Sequence, residues 1–137
     1  MAVKLVSERV HGPARRALGK GLGAFNKAAT GRNDFKRLTL TVRERGRIVG
    51  GLAAETYYGW MFVSQLWLDD KHRRKGLGTS LMQRAENEAR SRGITNVWLD
   101  TFGFQAEGFY KKLGYRPFAQ LMDFPPGFSR IWLTKAL

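Results

Sequence analysis

Arg73-Arg74-Lys75-Gly76-Leu77-Gly78-Thr79 decides how this chain is read. The stretch falls between an apolar, aromatic-rich run at 60–68, which reads as a strand, and residues 76–92, which read as a long helix. Cations therefore gather at a helix N-terminus. That end already carries positive dipole charge and unpaired backbone N–H groups, and it ordinarily favours Asp, Ser or Asn. The arrangement is unfavourable unless an anion belongs beside it. Two glycines would let that anion approach the backbone. The expectation is a cradle for a phosphate or pyrophosphate.

Outward from the loop the pattern alternates between strand and helix. Leu77, Leu81, Met82, Ala85 and Ala89 give the helix one apolar face, and Gly93 is its expected cap. Upstream, residues 38–44 alternate as a strand, Arg45-Gly46 reads as a two-residue hairpin turn, and residues 48–58 are the return strand before a turn at Gly59. The run 60–68 then reads as a buried central strand. Downstream come a strand at 96–101, a short helix at 106–113 stopped by Gly114, and strands at 116–123 and 129–135 around Pro125-Pro126-Gly127. Residues 4–10 read as a first strand. Residues 14–27 have helical composition, but Gly19, Gly21 and Gly23 predict two short helices or a loop. The order β-α-β-β-β-α-β-α-β-β predicts a mixed sheet with helices, of α/β or α+β class.

Composition narrows the function. A chain of 137 residues suits one domain, 1–137, with a real core. No run of about 18 apolar residues suggests a membrane span, and residues 1–8 lack the apolar stretch of a signal peptide, so the expected compartment is cytoplasmic. With no cysteine, disulfides, thiolate metal sites and a cysteine nucleophile are excluded. Two isolated histidines, His11 and His72, predict no metal site and read as exposed turn or loop residues. Ser64 and Ser80 lack a nucleophile-elbow setting. The net charge of +13 (24 Lys and Arg against 11 Asp and Glu) concentrates early, in Arg9, Arg15, Arg16, Lys20, Lys27 and beyond. Such a field draws polyanions: a phosphorylated cofactor, a nucleic acid or an acidic protein face.

Two motifs together carry a resemblance. Arg73-Arg74-Lys75-Gly76-Leu77-Gly78 matches Gln/Arg-x-x-Gly-x-Gly/Ala, and Phe109-Tyr110-Lys111-Lys112-Leu113-Gly114-Tyr115 matches Phe/Leu-Tyr-x-x-x-Gly-Tyr/Phe. In these motifs, in their spacing and in the order of elements, the chain resembles the GNAT superfamily of N-acetyltransferases. The resemblance implies a mixed, mostly antiparallel central sheet of six to seven strands with helices on both faces. It implies acetyl-coenzyme A as co-substrate. Its pyrophosphate would meet backbone N–H groups of Arg74, Lys75, Gly76, Leu77, Gly78 and Thr79, with Arg73, Arg74 or Lys75 adding charge. Its pantetheine arm would lie along Leu66, Trp67 and Leu68, in a gap opened against Val97-Trp98-Leu99 and usually marked by a β-bulge. A backbone N–H near residues 64–66 would hold the thioester oxygen. Tyr110 stands where the family places its general acid.

Some positions depart from the family pattern. No Glu lies within 60–68, so Glu55 on the preceding strand is the first candidate for general base. Gly103 stands where many members have an Asn toward the coenzyme, with Gln105 the nearby substitute. Asp69 and Asp70 read as partners for Lys71 and Arg73, and Asp100 as a cap for the turn after its strand. Tyr57, Tyr58, Trp60, Phe62 and Trp67 read mostly as core, some of them lining an acceptor pocket. Phe124, Pro125, Pro126 and Phe128 make a hairpin tip that suits a lid or a dimer contact.

The implied reaction is transfer of an acetyl group to a primary amine, on a small molecule or a protein, by direct attack in a ternary complex. The basic N-terminal half suggests an acceptor carried on something acidic, such as RNA-linked material. A homodimer is compatible with the family. The competing class is a non-catalytic module that senses coenzyme A or binds nucleic acid through the basic surface.

Overall fold

The computed structural model describes residues 2–137, in two compact units, Met1–Asn33 and Asp34–Leu137. The first unit holds one helix, α1 (His11–Thr30). Gly31, at φ 69°, ends it by donating its N–H to the Lys27 carbonyl at 2.8 Å. The strand expected at 4–10 does not form. An extended segment becomes a strand only where a neighbour takes its backbone hydrogen bonds, and these residues have none. The expected break at Gly19, Gly21 and Gly23 does not occur either. Each glycine costs a helix about 1 kcal/mol relative to Ala. The alanines, arginines, lysines and leucines around them are strong helix formers, and α1 runs through unbroken with none of its residues buried.

The second unit contains β1 (Lys36–Glu44), β2 (Arg47–Tyr57), β3 (Trp60–Leu68), a single 3-10 turn (Asp70–His72), α2 (Leu77–Ser91), β4 (Asn96–Phe102), α3 (Glu107–Lys112), β5 (Arg116–Met122) and β6 (Ser129–Ala136). The strands form one six-stranded sheet in the order β1-β2-β3-β4-β6-β5. Only β3 and β4 run parallel, joined by the crossover through α2; the other neighbours are antiparallel. Arg45 and Gly46 both have positive φ (51° and 78°), as do Tyr58 and Gly59 (53° and 82°). These are the twisted two-residue turns that antiparallel neighbours favour.

Alternation sorts the side chains. Leu52, Ala54, Met61, Val63, Val97, Leu99, Ile131 and Leu133 point to one face, where Leu81, Met82, Ala85 and Ala89 of α2 and Tyr110 of α3 close the core. Both helices of this unit therefore share a face. The one buried carboxylate on α2, Glu86, is fully partnered: Lys135 Nζ donates to it at 2.9 and 3.1 Å, and the Tyr115 hydroxyl at 2.8 Å. On the opposite face Phe62 and Trp98 stack at 4.0 Å.

Strand β3 is central but not buried on both sides, as its apolar run suggested. Only Met61 and Val63 are buried in it. Tyr57, Tyr58, Trp60 and Trp67 are all substantially exposed, so the aromatic cluster is not core.

Candidate active site

The sheet opens in its middle. Strands β3 and β4 pair only from Trp60↔Asn96 to Val63↔Leu99. Beyond that point β3 bonds only to β2, through Gly50 to Ala53, and β4 only to β6. A register shift lies where β2 passes from Ala53, opposite Gln65, to Ala54, opposite Val63, leaving Ser64 as the extra residue of a β-bulge. The bulge inverts the alternation. Leu66 and Leu68 turn to the core, while Trp67 turns outward, half exposed. Alternate backbone N–H and C=O groups of β3 after Val63 thus face a gap with no strand in it. The stretch of β4 across the gap is Asp100-Thr101-Phe102. It is not the expected Val97-Trp98-Leu99, which is where the two strands still pair.

The cleft this opens has a volume of about 1280 Å³. Leu66, Trp67, Leu68, Arg73, Arg74, Gly76, Leu77, Gly78, Thr79 and Tyr110 all line it; Lys75 does not. At its loop end Arg74 (φ 61°) and Gly76 (φ 78°) adopt left-handed backbone, a turn that aims successive N–H groups into one hollow. No side chain caps α2 and no acidic residue occupies its first turn. Its leading N–H groups are left for an anion. Arg73 is committed elsewhere, with Nε on the Leu68 carbonyl at 2.9 Å and Nη1 on Asp70 at 3.0 Å. Arg74, which also lines the cleft, makes no ion pair among the described residues. Gly78, which lines the cleft, has a packing use as well. A Cβ there would stand 3.2 Å from the Phe109 ring, so this glycine lets the two motifs pack together.

His72 is not the exposed loop residue expected. Its imidazole is held between the carboxylates of Asp69 and Glu44, one on each ring nitrogen, with its side chain only 14% exposed. Both nitrogens then donate, which requires the protonated ring. Hydrogen bonding to Asp69 first, then to Glu44, raises the His72 pKa, and the bond to His72 lowers that of Asp69. Asp69 also caps the 3-10 turn through the His72 N–H at 3.1 Å. The clamp joins the turn before the loop to the end of β1.

Tyr110 is 8% exposed, packs edge-on against Phe109 and Tyr115, and reaches the cleft. Burial, and then the charge of Asp100, push its phenol up to about 12. Glu55 does not line the large cleft. It lies in an adjoining groove of about 370 Å³ that shares Thr39, Ala53, Ser64 and Gln65 with it. Its Oε2 is buried without a hydrogen-bond partner, and its Oε1 is 3.4 Å from the Ser64 hydroxyl. That hydroxyl has one proton and a closer acceptor, the Ala53 carbonyl at 3.1 Å, so Glu55 is under-satisfied. Gln105 turns its side-chain oxygen to the Phe102 N–H at 2.7 Å and to the Thr101 hydroxyl at 3.1 Å, which shapes the turn after β4.

Sequence reasoning missed the pairing of Asp100 with Arg130. Asp100 lies within β4 and does not cap a turn. Its Oδ1 accepts from Arg130 Nε at 2.8 Å and Nη2 at 2.7 Å, and both residues line the cleft. The signal was absent because it depends on which strand lies beside β4. Among the described residues no group of three or more His, Cys, Asp or Glu is placed to hold a metal.

A parallel pair that splits at a bulge, facing an uncapped basic helix start, is the arrangement that the resemblance to acetyltransferases implies. The chain belongs to the acetyltransferase (GNAT) family, matching it over residues 14–115, and is an acyltransferase. It is 41% identical over 100 residues to a blasticidin-S acetyltransferase from Streptomyces morookaense, covering 72% of this chain and 74% of that one. It is 31% identical over 132 residues to an acetyltransferase of Agrobacterium fabrum, covering 96% of each. The fold matches a crystal structure from Bacillus cereus, also an acetyltransferase, at TM-score 0.85 with 28% identity over 98% of each chain. A protein from Agrobacterium tumefaciens classed as an acetyltransferase matches at TM-score 0.92, with 30% identity over 99% of this chain and 100% of that one.

Proposed function

We propose that this enzyme moves an acetyl group from acetyl-coenzyme A to a primary amine by direct attack within a ternary complex. The observation that carries the reading is convergence: the bulged edge of β3, the uncapped start of α2 and the Tyr110 phenol all open into one cleft. The loop N–H groups and Arg74 hold the pyrophosphate. The free edge of β3 from Leu66 to Leu68 pairs with the pantetheine amides as an added strand would. An unpaired N–H by the bulge offsets the negative charge that grows on the thioester oxygen. The amine nitrogen bonds to the carbonyl carbon, the carbon–sulfur bond breaks, and Tyr110 supplies the proton that the departing sulfur takes up. Glu55, short of donors and across Ser64 from the cleft, receives the proton that the amine gives up. With no cysteine in the chain, the acetyl group has no thiol on which to pause.

The relatives' names support an acceptor of small-molecule type, since one acetylates blasticidin S and another streptothricin. Calorimetric titration with acetyl-coenzyme A at physiological salt tests the cradle. Saturable one-to-one binding with micromolar affinity is the expected result; no binding would reject it. An acceptor screen follows. Coenzyme binding without turnover on any amine would favour a coenzyme sensor. Glu55→Gln should remove the acidic limb of the pH–rate profile, and an unchanged limb would reject the base.

A further inference from the structure

Part of the cleft wall, with the rings packed beside it, is left idle by the chemistry above. Phe102 and Phe104 line the cleft and lie parallel, 5.3 Å apart with 2° between their planes. Phe128, from the turn between β5 and β6, meets Phe104 edge-on at 5.1 Å and 81°. Phe124, from the same turn, leans on Phe102 at 5.7 Å. The Arg130 guanidinium sits over Phe102, Phe124 and Trp132 at 5.2, 4.9 and 5.1 Å. Phe104 is 55% exposed, Phe128 49% and Phe124 39%. Exposed apolar surface gathered beside a cleft marks a place where something binds.

The geometry selects its occupant. Phe104 and Phe128 stand nearly at right angles, and each leaves about half of its surface exposed, so the pair offers ring surface in two perpendicular planes. A flat ring packed against such a pair stacks offset on one ring and meets the other edge-to-face, the two arrangements that aromatic quadrupoles favour. An alkyl chain gains neither. Charge points the same way. Arg130 cancels Asp100, and the remaining charged groups lining the cleft are Arg73 and Arg74, so nothing there draws a polycation. We propose that Phe104, Phe128 and Arg130 form the acceptor subsite, and that it takes a small amine carrying a flat aromatic or heteroaromatic ring. This rests on the acetyl-transfer reading and specifies its substrate class.

The test is a matched panel: 2-phenylethylamine, tyramine and histamine against hexylamine, spermidine and an alanyl tripeptide. Released coenzyme A thiol is followed at saturating acetyl-coenzyme A. The ring-bearing amines should have the lower KM. Phe104→Ala should raise their KM by about three- to tenfold, the worth of an aromatic pair, leaving the KM for hexylamine and for acetyl-coenzyme A in place. Phe128→Leu, milder for folding, should give a smaller shift in the same direction. Equal KM for ring and chain amines, preference for the peptide or spermidine, or an equal effect of Phe104→Ala on all acceptors would overturn the subsite. Should no amine turn over, the acetyl-transfer reading fails, and saturation-transfer NMR on the coenzyme A-loaded protein decides the subsite separately. Ring protons should then receive saturation from the wild type and lose it in Phe104→Ala; no transfer to the rings rejects the proposal.

Discussion

Tyr110 and Tyr115 flank the end of α3, and both are buried, yet only one is chemically available. The Tyr115 hydroxyl is spent on Glu86, while that of Tyr110 reaches the cleft. With its pKa pushed to about 12, Tyr110 keeps its proton at every working pH. Tyr110→Phe should cut kcat by about a hundredfold or more and leave the KM for acetyl-coenzyme A unchanged. The wild-type rate should show no fall with pH from phenol ionisation below about pH 11. Steady-state kinetics across pH check both. His72 carries the second residue-scale prediction. Its pKa is raised, so its stabilisation is complete below the unfolded histidine value, about 6.5, and is lost as pH rises through the folded value. That of Asp69 is lowered, so its share is present above the ordinary carboxylate range and is lost as pH falls through the folded value. The clamp of Glu44, His72 and Asp69, with Arg47 acting on Asp69, is therefore strongest in mildly acidic solution. The melting temperature and the coenzyme affinity should both decline from pH 6 toward pH 9, and His72→Gln should flatten that decline. A wild-type profile matching His72→Gln would reject the clamp. The sequence showed a histidine next to a basic loop; Glu44, far away in the chain, is what converts it into a clamp.

At the scale of elements, the strands and helices of residues 36–137 were legible because each carries its own period and its own stop: alternation in β1, the spaced apolar stripe of α2, glycines at the turns. Pairing was not. The bulge at Ser64 has no local signature, since Ser-Gln in mid-strand is unremarkable until β2 and β4 lie beside it. Gly50 and Gly51 show the same dependence. A Cβ on Gly51 would stand 2.3 Å from the Leu40 carbonyl oxygen, backbone that cannot swing away, and one on Gly50 would meet Leu68 at 2.5 Å. Gly51→Ala should destabilise the enzyme by about 2 kcal/mol through overpacking, read as a lower denaturation midpoint. Because β2 supports the bulged edge of β3, coenzyme affinity should fall with it. An unchanged midpoint would mean that β1 and β2 separate more easily than so close an approach allows.

For the whole molecule, charge is the feature that catalysis in the cleft does not consume. Residues 1–33 contain Arg15, Arg16, Lys20 and Lys27 on α1, all of them exposed to solvent, and no acid but Glu8. Single-stranded RNA should be retarded in gels at low salt. Replacing Arg15, Arg16 and Lys20 with Gln should lower the slope of log affinity against log salt by about 0.7 for each phosphate no longer neutralised, with transfer to a small amine unaffected. No retardation at any salt would remove the RNA-linked acceptor and leave the small-molecule one. The chain's own order of residues determined the class of fold, the loop at 73–79 and the tyrosine at 110, because helix starts, turns and hydrophobic periods are written over a few neighbouring positions. Tertiary structure alone decided where the sheet splits, that Gly78 makes room for Phe109, that His72 meets Glu44, and that Phe102 and Phe124 gather round Arg130 with Phe104 and Phe128 beside them. Most of those contacts join residues remote in sequence, and strand register brings them within reach.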